Sequence, residues 1–305
     1  MEIIESLKEL LGWDDPPAIP LDQRRRNAKA AIEAWLRTQT TTQYGLPPDR
    51  FAERLRTLVD SPHELRQGQY GWCLPTAFLQ SVLRRFPDLV AQFGLDLYAT
   101  GEGSLGDIEV TLTDAFRAFD YPDFIRSDTG LSQRHRDLYL ASHADWILLG
   151  AVQDATTVYP MTGSPRDPVS FSTSTLADLF DDCGLYEDVT TLSSTDKRNR
   201  QKLIEALEKS RTQDILLVGE MTRFGVDSTI RHAVRLVAPP TFTAPAGGGT
   251  PTDQEAMTFQ FWSWGFQPSA AEGLPFDAAQ NAFTHSLTRR QFASLEIIVA
   301  EPKPI

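Results

Sequence analysis

Cys73 closes the stretch QGQYGWC and stands where an apolar helical pattern, CLPTAFLQSVLRRF, begins. A thiol at that point meets the partial positive charge of the unpaired N–H groups of a first helical turn, which favours its thiolate. His232 opens HAVRLV, a run with the composition of a β-strand, far downstream. A thiolate on a helix and an imidazole on a separate rigid element are the parts needed for nucleophilic acyl transfer. The sulfur attacks a carbonyl carbon, the imidazole relays a proton to the leaving group, and N–H donors hold the oxyanion.

The other reactive residues fit other chemistries poorly. GEGSLG, residues 101 to 106, matches GxGxxG, but the segment before it, LVAQFGLDLYAT, has helical spacing. The strand–turn–helix setting that gives the motif its meaning is missing, and a glycine-rich turn between helices is expected. His135 and His143 are eight positions apart on one predicted helix, too far to chelate a single ion by themselves, and read as surface or packing histidines. Cys183 ends a helical run before Gly184 and is expected to be a half-buried structural thiol. With no CxxC, HExxH or GxSxG in the chain, neither a metal, a cofactor nor a serine nucleophile is expected.

The elements that must position Cys73 and His232 follow from periodicity. Residues 1 to 66 read as helices: SLKELLGW, a longer segment after Asp22 with Ala28, Ile32, Trp35 and Leu36 on one face, and RFAERLRTLV, stopped by the Ser61–Pro62 turn. The basic run Arg24 to Arg26 is expected on a solvated face. Helical patterns continue over the Cys73 segment and over residues 88–98, 109–118, 135–152, 176–183 and 196–210. The period then changes to two: DILLVGEM, HAVRLVAPP, EAMTFQFWSWG and QFASLEIIVAEP read as strands. TAPAGGGTPTD, residues 243 to 253, reads as a flexible loop joining two of them.

Composition sets outer limits. The chain has 305 residues, 41% of them hydrophobic, which is enough for a large core. A formal net charge of -12 argues against nucleic acid or an anionic membrane surface as partner. No apolar run is long enough to span a bilayer, the N-terminus is acidic and amphipathic, and two cysteines suit a reducing compartment. A cytoplasmic protein is expected, with signal-independent export left open.

At these residues the chain resembles the papain-like cysteine proteases. That family has Gln six positions before the nucleophilic Cys, with Gly next to the Gln and Gly two before the Cys. Gln67, Gly68, Gly71 and Cys73 match those places, and His232, Ala233 and Val234 match the strand that begins with the catalytic His. The resemblance spans roughly residues 67 to 265, with about a dozen positions matching. It implies an α+β papain-like fold, a helical lobe followed by an antiparallel β lobe. Residues 1–66 would be an N-terminal helical extension and 67–305 the catalytic domain, helical to about 210 and β-rich over 211–305. It implies that Cys73 attacks, His232 relays the proton, and Gln67 with the Cys73 N–H holds the oxyanion. A thiol pKa of ~3 to 4 would follow if the pair behaves as papain's does.

The chain departs from the family at one position. Where the family has Asn-Ser-Trp-Gly, with the Asn orienting the imidazole, this chain has Trp262, Ser263, Trp264 and Gly265. Gln260, Ser263 or no side chain would then orient His232. The expected activity is peptide hydrolysis on a protein or peptide substrate, and papain-like bacterial effectors offer an analogy of fold. The same acyl-enzyme chemistry also serves transglutaminases and glutamine deamidases. A catalytically silent binding protein is the alternative that Trp262 favours. The extension 1–66 is either an extra helical layer or an inhibitory segment, and the 243–253 loop either bounds the cleft or is a surface insertion.

Overall fold

Prolines mark the first helix boundaries. Pro20 precedes the helix Leu21–Leu36, and Pro48 opens the helix Pro48–Asp60, a position where the missing N–H has no partner to lose. The computed structural model of the chain describes residues 18–68, 71–157, 159, 161–164, 172–243, 254–263, 274–277 and 282–304. The expected helix SLKELLGW lies outside the described residues. In the basic run Arg26 is exposed and Arg25 half-buried, but Arg24 departs from the expected solvated face. It is buried, salt-bridged to Asp88 at 3.0 Å and 5.1 Å over the Phe86 ring, and so ties the first helix to the helix Pro87–Thr100.

The helix Cys73–Arg85 runs through the middle of this region, and every residue from Cys73 to Leu83 is buried. It packs against Pro87–Thr100, against His143–Thr156, and against the sheet. Three helical expectations need correction. GEGSLG does not simply turn between helices. Gly101, at φ 79°, ends Pro87–Thr100, and β1 (Glu102–Leu105) and β2 (Ile108–Thr111) form an antiparallel hairpin around Gly106, leaving only Asp114–Ala118 helical beyond it. The expected helix 135–152 is two helices, Gln133–Ala141 and His143–Thr156, parted at Ser142. The expected helix 196–210 divides at Asn199, whose side chain accepts from the N–H groups of Gln201 and Lys202 and so caps Arg200–Glu208.

An antiparallel sheet follows the helical region, and the architecture is α+β. Its strands are β3 (Tyr186–Thr191), β4 (Asp214–Glu220), β5 (Arg231–Leu236), β6 (Thr241–Thr243), β7 (Ala256–Trp262), β8 (Phe276–Asp277), β9 (Ala282–Thr288) and β10 (Glu296–Pro302). The order is β3-β10-β4-β5-β7-β9-β8, with β6 paired to β7. The sheet therefore begins at Tyr186 rather than near residue 211. Apart from Thr243, the expected loop 243–253 is outside the described residues except in its first position, which belongs to β6.

The sheet is covered on both faces. Leu216, Val218 and Ala233 join the core beneath the helices, while Ile215, Leu217, Val234 and Leu236 join a second core with β7, β9 and the helix Arg200–Glu208. Double coverage explains why β4 reads as a nearly continuous apolar run and why β5, though it carries His232 and Arg235, is buried from His232 to Leu236. Helices Leu21–Leu36 and Pro48–Asp60 contribute Ala28, Ile32, Phe51 and Leu55 to the same core as the Cys73 helix. No helix among the described residues is long and apolar enough to cross a membrane.

Candidate functional site

Cys73 is the first residue of its helix, after Trp72, and no side chain caps that end. Pro75, in the third position, carries no N–H, so Cys73 and Leu74 supply the free donors of the first turn. His232 is the second residue of β5, opposite Gly219 of β4. The Cys73 helix lies on β5, so its N-terminus meets the strand where His232 begins it. The Cys73 thiol is within hydrogen-bonding influence of the backbone of Ala233, the residue after His232. The structure thus sets the Cys73 thiol against the residue that follows His232, more than half the chain away in sequence.

Both groups are almost closed to solvent, each 6% exposed. Burial pushes the Cys73 thiol up to about 11, and hydrogen bonding from the backbones of Ala233, Leu74 and Cys73 opposes it without prevailing. Burial also holds His232 well below the ordinary imidazole value. The direction is opposite to that expected of a thiolate–imidazolium pair. At rest the thiol is protonated and the imidazole is neutral, because water exclusion outweighs the helix N-terminus.

Strand alternation decides what His232 faces. Ala233 belongs to the core under the helices, so His232 shares the other face with Val234 and Leu236. Cys73 also belongs to that second core. A small apolar pocket there is lined by His232 and Ser263 with Met221, Phe224, Phe261 and Phe283. Ser263 is buried, and its Oγ has no hydrogen-bond partner among the described residues. Gln260 lies on the opposite face of β7 from Phe261, half-buried, and its carbonyl accepts from Val237 N–H at 2.9 Å. Of the two side chains offered by the sequence as orienters, Ser263 shares the pocket of His232 and Gln260 does not line it.

Trp262, which the resemblance would set at the Asn position, makes a structural contact. It is fully buried, and its indole Nε1–H donates to the His63 carbonyl at 3.0 Å. His63 lies in the short 3-10 turn Pro62–Glu64, just before Gln67. Gln67 is half-buried between this turn and the Cys73 helix, followed by Gly68 at φ 68°. Gly71 is exposed, and Trp264 and Gly265 are outside the described residues.

The same loop is gripped from the helical side. Asp145, fully buried on His143–Thr156, accepts from Arg54 Nε and Nη2, each at 2.8 Å, and from Arg66 N–H at 2.8 Å. Arg54 Nη2 also donates to the Glu64 carbonyl at 2.7 Å. Sequence reading missed Asp145 and Arg54, since nothing local distinguishes them from surface charges on their helices.

The remaining candidates are structural. Cys183 is fully rather than half buried, and its Sγ donates to the Phe180 carbonyl at 3.2 Å. His143 packs on Tyr121 and Trp146, with ring centroids 4.6 and 5.7 Å away, while His135 sits at the start of Gln133–Ala141 beside the Ser132 hydroxyl. No family model, curated protein sequence or solved structure matches this chain.

Proposed function

We propose that this chain is a papain-like thiol hydrolase that cleaves peptide or related amide bonds through Cys73 and His232. The observation that supports it most is the meeting of the Cys73 thiol, at an uncapped helix N-terminus, with the backbone of Ala233 beside His232. In the proposed reaction Sγ attacks the carbonyl carbon as His232 takes the thiol proton. Gln67 and the Cys73 N–H hold the oxyanion, and the amine leaves with the proton that His232 returns. Water then hydrolyses the thioester and regenerates the thiol.

The closed resting state has a place in this reading. Burial, not a neighbouring charge, moves both groups. Any displacement that wets the site therefore lowers the thiol value and raises that of the imidazole, the direction needed for an ion pair. Substrate entry would be such a displacement. The same burial favours a second reading, a catalytically silent protein in which Cys73 is a core thiol.

Alkylation by iodoacetamide with peptide mass mapping separates the two, and Cys183 is the internal control, because burial pushes both thiols up to about 11. Under the enzyme reading Cys73 labels about ten-fold faster than Cys183 or more at pH 7, and His232→Ala removes the advantage. Cys73 is slightly the more accessible thiol, so the His232 dependence is the decisive part. Slow labelling of Cys73 that is indifferent to His232→Ala would overturn the enzyme reading in favour of the silent one.

A further inference from the structure

The loop carrying Gln67 is held from both of its sides. From the sheet, Trp262 Nε1–H donates to the His63 carbonyl. From the helices, Arg54 Nη2 donates to the Glu64 carbonyl, and Asp145 Oδ2 accepts from Arg66 N–H. Leu65, between these attachment points, is fully buried. Three consecutive peptide groups upstream of Gln67 are thus fixed by side chains from three different elements. A loop would not otherwise hold a donor within the few tenths of an ångström that oxyanion stabilisation requires.

We infer that Trp262 is a positioning residue for oxyanion stabilisation, acting through its bond to the His63 carbonyl, with Arg54 and Asp145 as the opposing grip, to hold Gln67 at the start of the Cys73 helix. This rests on the thiol-hydrolase reading. It gives the residue at the Asn position a role in the oxyanion half of the site instead of the imidazole half. It also accounts for a buried tryptophan whose single donor reaches a main-chain carbonyl across 199 positions of sequence.

Two reagents separate the halves of the site. Iodoacetamide alkylates Cys73 by displacement of iodide at a saturated carbon, so no oxyanion forms. p-Nitrophenyl acetate acylates it through one: Sγ bonds to the acetyl carbon, His232 accepts the thiol proton, and p-nitrophenolate leaves with the electron pair of the broken C–O bond. Trp262→Phe keeps the ring and removes the N–H. The expected result is an acetylation rate at Cys73 lowered about ten-fold or more, with the iodoacetamide rate within about two-fold of wild type. In the double variant with Gln67→Ala, acetylation falls no further than in Gln67→Ala alone, because Trp262 acts through Gln67.

Equal loss of both rates, no loss of acetylation, or multiplying effects in the double variant would overturn the inference. Should Trp262→Phe not fold, Arg54→Lys tests the opposing grip. It keeps a cation beside Asp145, removes the bond to the Glu64 carbonyl, and is expected to give the same split between reagents. Failure of the underlying reading has a different signature, wild-type alkylation of Cys73 that ignores His232→Ala.

Discussion

Arg235 of β5 donates from Nε to Oε1 of Gln80 on the Cys73 helix at 2.7 Å, with both side chains buried. Gln80 is about two helical turns from Cys73 and Arg235 three residues along the strand from His232, so this bond fixes the helix on the strand that carries the imidazole. Arg235 also donates to the Leu236 carbonyl, and burial drives its guanidinium down to about 9, with Arg84 adding to the effect and Asp214 opposing it. Asp214 is itself buried and accepts from Arg84, Arg85 and the Tyr186 hydroxyl. A buried cation with few acceptors makes each of them expensive to lose. Gln80→Leu is expected to destabilise the fold by about 3 kcal/mol in urea titration, whereas Gln80→Glu, which keeps an acceptor, retains most of the stability. Equal stability of Gln80→Leu and wild type would show that the bond does not govern the helix–strand contact.

Stability should fall on mild acidification. Burial holds His143 down at about 3, with Asp120 pulling up and Arg126 down, and holds His232 well below 6.5. The unfolded chain takes up protons on these rings as pH drops through about 6.5, and the native state does not. The native advantage is therefore complete above pH 6.5 and shrinks below it, by up to about 1.4 kcal/mol per pH unit for each ring until its folded value is reached. His143→Phe keeps an aromatic ring against Tyr121 and Trp146 and removes one titration. Urea midpoints from pH 5 to 7.5 are expected to depend less steeply on pH in this variant, and an unchanged slope would contradict the assignment.

Ser263 and Gln260 make different predictions at the imidazole. The Ser263 hydroxyl is buried beside His232 without a partner among the described residues, so Ser263→Ala is expected to leave stability unchanged or slightly raised. If that hydroxyl orients the ring once the site is wetted, the same variant lowers the His232-dependent alkylation of Cys73 several-fold. Gln260→Ala, on the other face of β7, is expected to leave that rate alone. The reverse pattern would move the orienting role to Gln260.

Much of the site's framework was legible in the chain because it is written in local periodicity. The start of the Cys73 helix, its apolar length and its end before Pro87 follow from spacing over a few turns. The strands β4, β5, β7 and β10 announce themselves by β-branched and aromatic content. β3 did not, since YEDVTT lies at the sheet edge with mostly exposed residues and has no apolar alternation to read. The division at Ser142 also escaped, because the helical patterns on either side of it are in continuous sequence.

Sequence alone nominated Cys73 and His232 as nucleophile and base, and determined that a helix carries the first and a strand the second, since short-range spacing suffices for the elements. Only the tertiary structure decided their charge states and their supports. Solvent exclusion at Cys73 and His232 comes from β7, β9 and the Phe224 turn packed around them, and it reverses the titration expected from a helix N-terminus. The partner of Trp262 is a carbonyl in the loop before Gln67, and that of Arg66 N–H is a carboxylate 79 positions away. Burial and hydrogen-bond geometry depend on chain segments that meet only in three dimensions, and no local pattern encodes such meetings.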